Sequence, residues 1–125
     1  MIETVRLSQE ARDQLITLKR YTGIKNWNVL CRWAFCASLR EPSPPPSHPI
    51  ETDSTVEMTW RVFGGVHADL YWALLVARAA RDHREMDDEG LALTFRRHLH
   101  RGIGYLVGDI EMRSATGLVE LPMRK

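Results

Sequence analysis

Apolar and polar residues alternate over positions 2–7: Ile2, Thr4 and Arg6 fall on one side of an extended strand, and Glu3, Val5 and Leu7 on the other. The period then changes. Ala11, Leu15, Leu18 and Thr22 recur at helical spacing, with Ile16 widening the stripe, and predict a helix over Gln9–Thr22. Ser8 is placed to cap its start, because a hydroxyl there accepts from free first-turn amides, and Gly23 is placed to end it in the left-handed conformation. A second helix is expected to open near Asn26 and to carry Val29, Leu30, Trp33, Ala34 and Ala37 toward a core. Trp27 and Phe35 extend the apolar surface beyond one stripe, which points to burial in a bundle or a subunit interface.

Five of the six prolines lie in residues 42–49, PSPPPSHP, where helix is impossible and a polyproline-like surface linker is predicted. Thr55–Phe63, rich in β-branched and aromatic residues, reads as a short strand broken by Gly64-Gly65. A third helix is expected over His67–Arg84, with Leu70, Ala73, Leu74 and Ala77 facing the core. A fourth opens at Asp87-Asp88-Glu89, where negative charge suits a helix N-terminus, and Ala92, Phe95, Leu99, Ile103, Leu106 and Ile110 form its stripe. Gly102 and Gly104 inside that stripe mark either a close helix–helix approach or a kink. After Gly108 the pattern is less regular, and Pro122 predicts an end in coil. The expected fold is mainly α: a helical bundle with a ribbon-helix-helix-like N-terminal half (short strand, two helices), a Pro-rich linker and two longer helices. It forms one domain over 1–125, divided into 1–41, a linker at 42–54 and a helical half at 55–125.

A chain of 125 residues suits a single domain with a useful core. Its net charge of +1 does not mark a nucleic-acid binder, so any such site must come from a local cluster. The positive charge is mainly arginine, fourteen against three lysines (Lys19, Lys25 and Lys125). Arginine grips carboxylate or phosphate in two places at once. Cys31 and Cys36 lack CxxC spacing and read as buried, reduced thiols of a cytoplasmic protein. The N-terminus has no signal-type stretch, and no apolar run reaches the roughly 20 residues of a membrane span.

Catalytic, metal and cofactor sites are not expected. On a helix Cys31 and Cys36 point about 140° apart, and His98 and His100 diverge similarly, so neither pair shares a metal. His83 and Asp87, four apart, read as a surface pair. There is no GxxxxGK[ST] loop and no GxSxG elbow.

The order strand, helix, turn, helix resembles ribbon-helix-helix proteins, in which paired strands face DNA and the second helix's N-terminus meets phosphate. Thr4 and Arg6 would project from one strand face. Lys19 and Arg20 end the first helix, while Lys25 and the amides after Asn26 open the second, so positive charge brackets one turn. The DNA-binding candidates are therefore Lys19, Arg20, Lys25, Arg6 and Asn26.

Residues Leu18-Lys19, Thr22-Gly23-Ile24, Asn28, Cys31-Arg32, Ala34, Cys36, Ser38-Leu39 and Glu41-Pro42 resemble the DndE family of bacterial DNA sulfur-modification (phosphorothioation) proteins. Phe63-Gly64-Gly65, Ala68-Asp69, Ala73-Leu74-Leu75 and His100 to Leu106 extend the resemblance over most of the chain. It implies a DNA-binding accessory subunit without a catalytic centre of its own, favouring nicked duplex and joining the other subunits of the modification complex. It also implies a homo-oligomer, a tetramer, with packing around Gly23. The family's surface lysines for DNA would be Lys19 and Lys25 here, and where some relatives have glycine this chain has Arg20. The competing readings are a ribbon-helix-helix-like repressor and a structural adaptor that holds the modification enzymes together.

Overall fold

The computed structural model describes residues 2–120, and the side chains of residues 2–110. Strand β1 (Thr4–Arg6) is followed by helices α1 (Gln9–Thr22) and α2 (Trp27–Leu39). After the proline-rich segment come strand β2 (Glu57–Thr59), a short helix α3 (Trp60–Gly64), a 3-10 turn (Gly65–His67), α4 (Ala68–Arg81) and α5 (Asp88–Glu120). The chain is thus mainly helical, with one two-stranded ribbon.

The ribbon closes within the chain. β1 pairs antiparallel with β2, Thr4 opposite Thr59 and Arg6 opposite Glu57. Only the middle of the expected strand 55–63 is extended. Thr59 takes the N-cap conformation and its hydroxyl accepts from Val62 N–H at 3.1 Å, turning Trp60 onward into helix. The carbonyls at the end of α3 meet side chains of α2: Asn28 Nδ2 donates to Val62 O and Arg32 Nη1 to Gly64 O.

α1 has the bounds its capping residues predict. Ser8 Oγ accepts from Ala11 N–H at 3.0 Å, and Gly23 (φ 76°) donates its N–H to Lys19 O at 2.9 Å. Ala11, Leu15 and Leu18 are buried, whereas Thr22 and Ile16 lie outside. α2 turns Leu30, Cys31, Ala34, Phe35 and Ser38 inward and leaves Trp33 52% exposed. Its most extensive packing is against α5. There Gly102 brings the helices together: a Cβ at this position would lie 1.7 Å from Ala34 O. Gly104 has open space around it and has no such role. An aromatic cluster of Phe35, Trp60, Phe63 and Phe95, with ring centroids about 5–6 Å apart, fills the centre.

α4 presents the opposite face from the one expected. Leu75, Arg78 and Ala79 are buried, while Leu70, Ala73, Leu74 and Ala77 face outward. The helix is apolar almost all round, so periodicity alone could not choose a side. α4 ends at Arg81, short of Arg84, and His83 sits in the connecting loop at φ 57°. His83 and Asp87 therefore lack helical spacing, and Asp87 instead caps α5, accepting from Gly90 N–H at 2.9 Å. Within α5, Phe95, Leu99 and Ile103 are buried as predicted, with Leu91 and Val107. The helix continues past Gly108 to Glu120, where less regular structure was expected; Pro122 lies outside the described residues.

The proline-rich segment is tied down rather than free. Arg78, 5% exposed, donates to the carbonyls of Leu39 (2.9 Å), Glu41 (2.6 Å) and Ser43 (3.0 Å) and pairs with Asp82 at 2.8 Å. Arg101 reaches Ser43 O and Ser38 O, Arg81 reaches Pro42 O, and Pro45 is buried. The core includes residues from both sides of this segment.

Candidate nucleic-acid interface

The bend between α1 and α2 is fixed locally. Thr22 Oγ1 donates to Leu18 O at 2.7 Å and accepts from Ile24 N–H at 3.1 Å, while left-handed Gly23 turns the backbone. A Cβ on Gly23 would touch nothing within 4 Å, so its conformation is what the turn needs. Asn26 takes the N-cap position of α2, but its side chain makes no cap bond, and the first turn has no acidic residue. The N-terminal end of α2 is thus neither capped by a side chain nor neutralised by a carboxylate.

Four of the five candidates flank this bend in the chain. Lys19 and Arg20 lie in the last turn of α1, and Lys25 and Asn26 lead into α2; Arg20, Lys25 and Asn26 are exposed. Lys19 Nζ sits 3.7 Å from the centre of the Trp27 ring, a contact that spacing did not reveal because the residues belong to different helices. Among the described ion pairs none involves Lys19, Arg20 or Lys25. Arg6 stands apart. Its guanidinium is paired with Glu57 on β2, and α1, with 14 residues rising 1.5 Å each, separates it from the bend by about 20 Å. It belongs to the ribbon, not to this patch.

Ser38 Oγ and His98 Nδ1 share a hydrogen bond of 2.8 Å, the geometry of a nucleophile and its base, but both residues are 0% exposed. Ser38 Oγ also accepts from Arg101 Nε, so the pair is a node of the network under the proline-rich segment. Burial, together with the neighbouring Arg78 and Arg101, lowers the His98 pKa to about 4, and its Nε2 has no hydrogen-bond partner. Cys31 is buried, which pushes its thiol up to about 12. Cys36, expected inside with it, is exposed, because it lies on the far side of α2 from the core. Among the described residues no group of three or more His, Cys, Asp or Glu side chains could hold a metal ion, and no helix is long and apolar enough to cross a membrane. A cavity of about 530 Å³ lies between the start of α1, the proline-rich segment and α5. Arg97 and Arg101 face Glu10, Glu51 and Asp53 there, so it has no field of one sign.

The His98 environment sets an acid limit on stability. The unfolded chain takes up a proton near pH 6.5, whereas the folded chain resists until about pH 4. This contribution is complete above pH 6.5 and is lost as the pH falls toward 4; linkage gives a loss of about 2 kcal/mol between pH 7 and 5. Urea unfolding at the two pH values measures it, and His98→Gln is expected to flatten that dependence.

The family model described as "DNA sulphur modification protein DndE" matches residues 4–114. The fold is similar to the crystal structure of DndE from Escherichia coli B7A involved in DNA phosphorothioation modification, with 24% identity and a TM-score of 0.73 over 85% of this chain and 98% of that one. It is also similar to a glycine-to-lysine mutant of DndE involved in DNA phosphorothioation, at 20% identity and a TM-score of 0.67 over 86% of this chain and 99% of that one. A search of curated proteins finds no match.

Proposed function

The chain belongs to the DndE family of DNA sulphur modification proteins, and from that membership we propose that it is a DNA-binding accessory subunit of a bacterial phosphorothioation complex. The carrying observation is the bend at Gly23: Lys19 and Arg20 end α1, Lys25 precedes α2, and the N-terminus of α2 has no side-chain cap. Backbone amides and a helix dipole directed outward, with cations on either side, suit a phosphate oxygen. Such contacts bind backbone without reading bases, so affinity is independent of sequence and sensitive to salt. A nick relaxes the duplex, and a protein that recognises shape favours it by the lower cost of bending.

The ribbon speaks against a repressor. One edge of β1 is taken by β2 of the same chain and Arg6 is held by Glu57, so the side chain a repressor would offer to bases is already engaged. The outward stripe of Leu70, Ala73, Leu74 and Ala77 on α4 supports assembly, as a homo-oligomer and with other subunits of the complex. The same stripe is what favours an adaptor role.

Binding of the full chain to intact and nicked duplexes over a salt series is the test. Wild type is expected to prefer the nicked duplex. Lys19→Glu/Lys25→Glu is expected to weaken both by at least about ten-fold and to lower the log–log salt slope by roughly two, with the thermal melt lowered by no more than the loss of the Lys19–Trp27 contact explains, a few degrees. Wild type that ignores DNA at low salt, while still associating with partner subunits, would leave the adaptor reading.

A further inference from the structure

Lys19 is held by an unusual contact for a surface lysine. Its ammonium lies 3.7 Å from the Trp27 ring centre, well inside the range of cation–π attraction. Trp27 is the first residue of α2, half-buried and packed against the core. The Lys19 carbonyl also accepts the Gly23 N–H, so this one residue is fixed at both ends across the bend. No carboxylate is paired with Lys19 among the described ion pairs. A free lysine loses side-chain entropy when it grips a phosphate; one already resting on an indole loses less.

We propose that Trp27 is a positioning residue for DNA binding: its indole holds the Lys19 ammonium over the first residue of α2, where a backbone phosphate would be met. This rests on the DNA-binding reading above and adds to it the residue that orders its cation. An aromatic face is required, not merely apolar bulk. The indole does not itself touch DNA.

The experiment is a double-mutant cycle on duplex affinity, with thermal melts of every variant. Trp27→Leu is expected to weaken binding about two- to five-fold, the range that a cation–π contact of this kind supports. Lys19→Met is expected to weaken it at least as much. The double variant is expected to bind no worse than Lys19→Met alone, because the indole acts through the ammonium. Trp27→Phe, which keeps an aromatic face, is expected to recover part of the loss, an outcome that a purely structural role would not produce. Additive losses, or Trp27→Phe as weak as Trp27→Leu, overturn the positioning role, as does tighter binding by Trp27→Leu, which would mean that the indole withholds Lys19 from DNA. If Lys25→Glu abolishes binding while Trp27→Leu leaves it unchanged, the DNA-binding reading stands and the positioning role fails. If wild type does not bind duplex at low salt, both fall.

Discussion

Gly102→Ala is expected to destabilise the chain by about 3 kcal/mol or more and to lower its melting temperature by roughly 10 °C. The added Cβ would lie 1.7 Å from Ala34 O, 2.4 Å from its carbonyl carbon and 3.0 Å from its Cα. All three are backbone atoms of α2, so no side chain can rotate away. The only relief is separation of α2 from α5, the most extensive contact in the fold. Interiors packed at crystal-like density transmit such a displacement, and Leu30, Phe35, Leu99 and Ile103 lie in the same core. Gly104→Ala, two residues on, supplies the contrast. Its Cβ would meet nothing within 4 Å, so the same change there is expected to gain about 0.5–1 kcal/mol from helix propensity. Thermal unfolding of the two variants side by side separates close approach from a generic glycine effect. Equal outcomes would refute the packing account.

The two glycines show where sequence reading stops. They lie about 200° apart on the helix, with Gly102 nearer the apolar stripe, but periodicity does not say how closely another backbone approaches it. Local signals were legible: Ser8 and Gly23 bound α1 because capping is settled within a few residues. The basic bend was legible for the same reason, since Lys19, Arg20 and Lys25 flank one glycine in sequence. Its ordering by Trp27 was not, because the contact joins two helices. The face of α4 was misread because apolar residues surround that helix, and the deciding element is Arg78, a charge that no periodicity argument would send inward. Cys36 was misplaced by its apolar neighbours, although the helical angle that sets it apart from Cys31 is also what turns it to solvent. β2 was partly legible, but Thr59 redirected the second half of the expected strand into α3.

Arg78 is also where the other large loss is expected. Arg78→Ala should destabilise the chain by about 3–5 kcal/mol, as removal of one partner from a buried ion pair usually does. Asp82, whose side chain is only 6% exposed, would keep a buried charge without its counter-ion. The carbonyls of Leu39 and Glu41 would lose the Arg78 donor at the same time, and that of Ser43 one of its two donors. Arg78→Lys should recover little, because one ammonium cannot span three carbonyls and a carboxylate as the planar fork does. Arg78→Ala/Asp82→Ala should be less destabilised than the sum of the single changes, since it removes the stranded charge. The bonds lost lie at Leu39, Glu41 and Ser43, and the more exposed bonds from Arg81 and Arg101 to Pro42 O and Ser43 O remain, so loosening should begin at the proline-rich segment rather than in the core. Limited proteolysis of Arg78→Ala should therefore cut within residues 42–49 under conditions where wild type resists. A variant that unfolds as a whole with no early cleavage there would show that Arg78 supports the core directly, and that the segment merely follows.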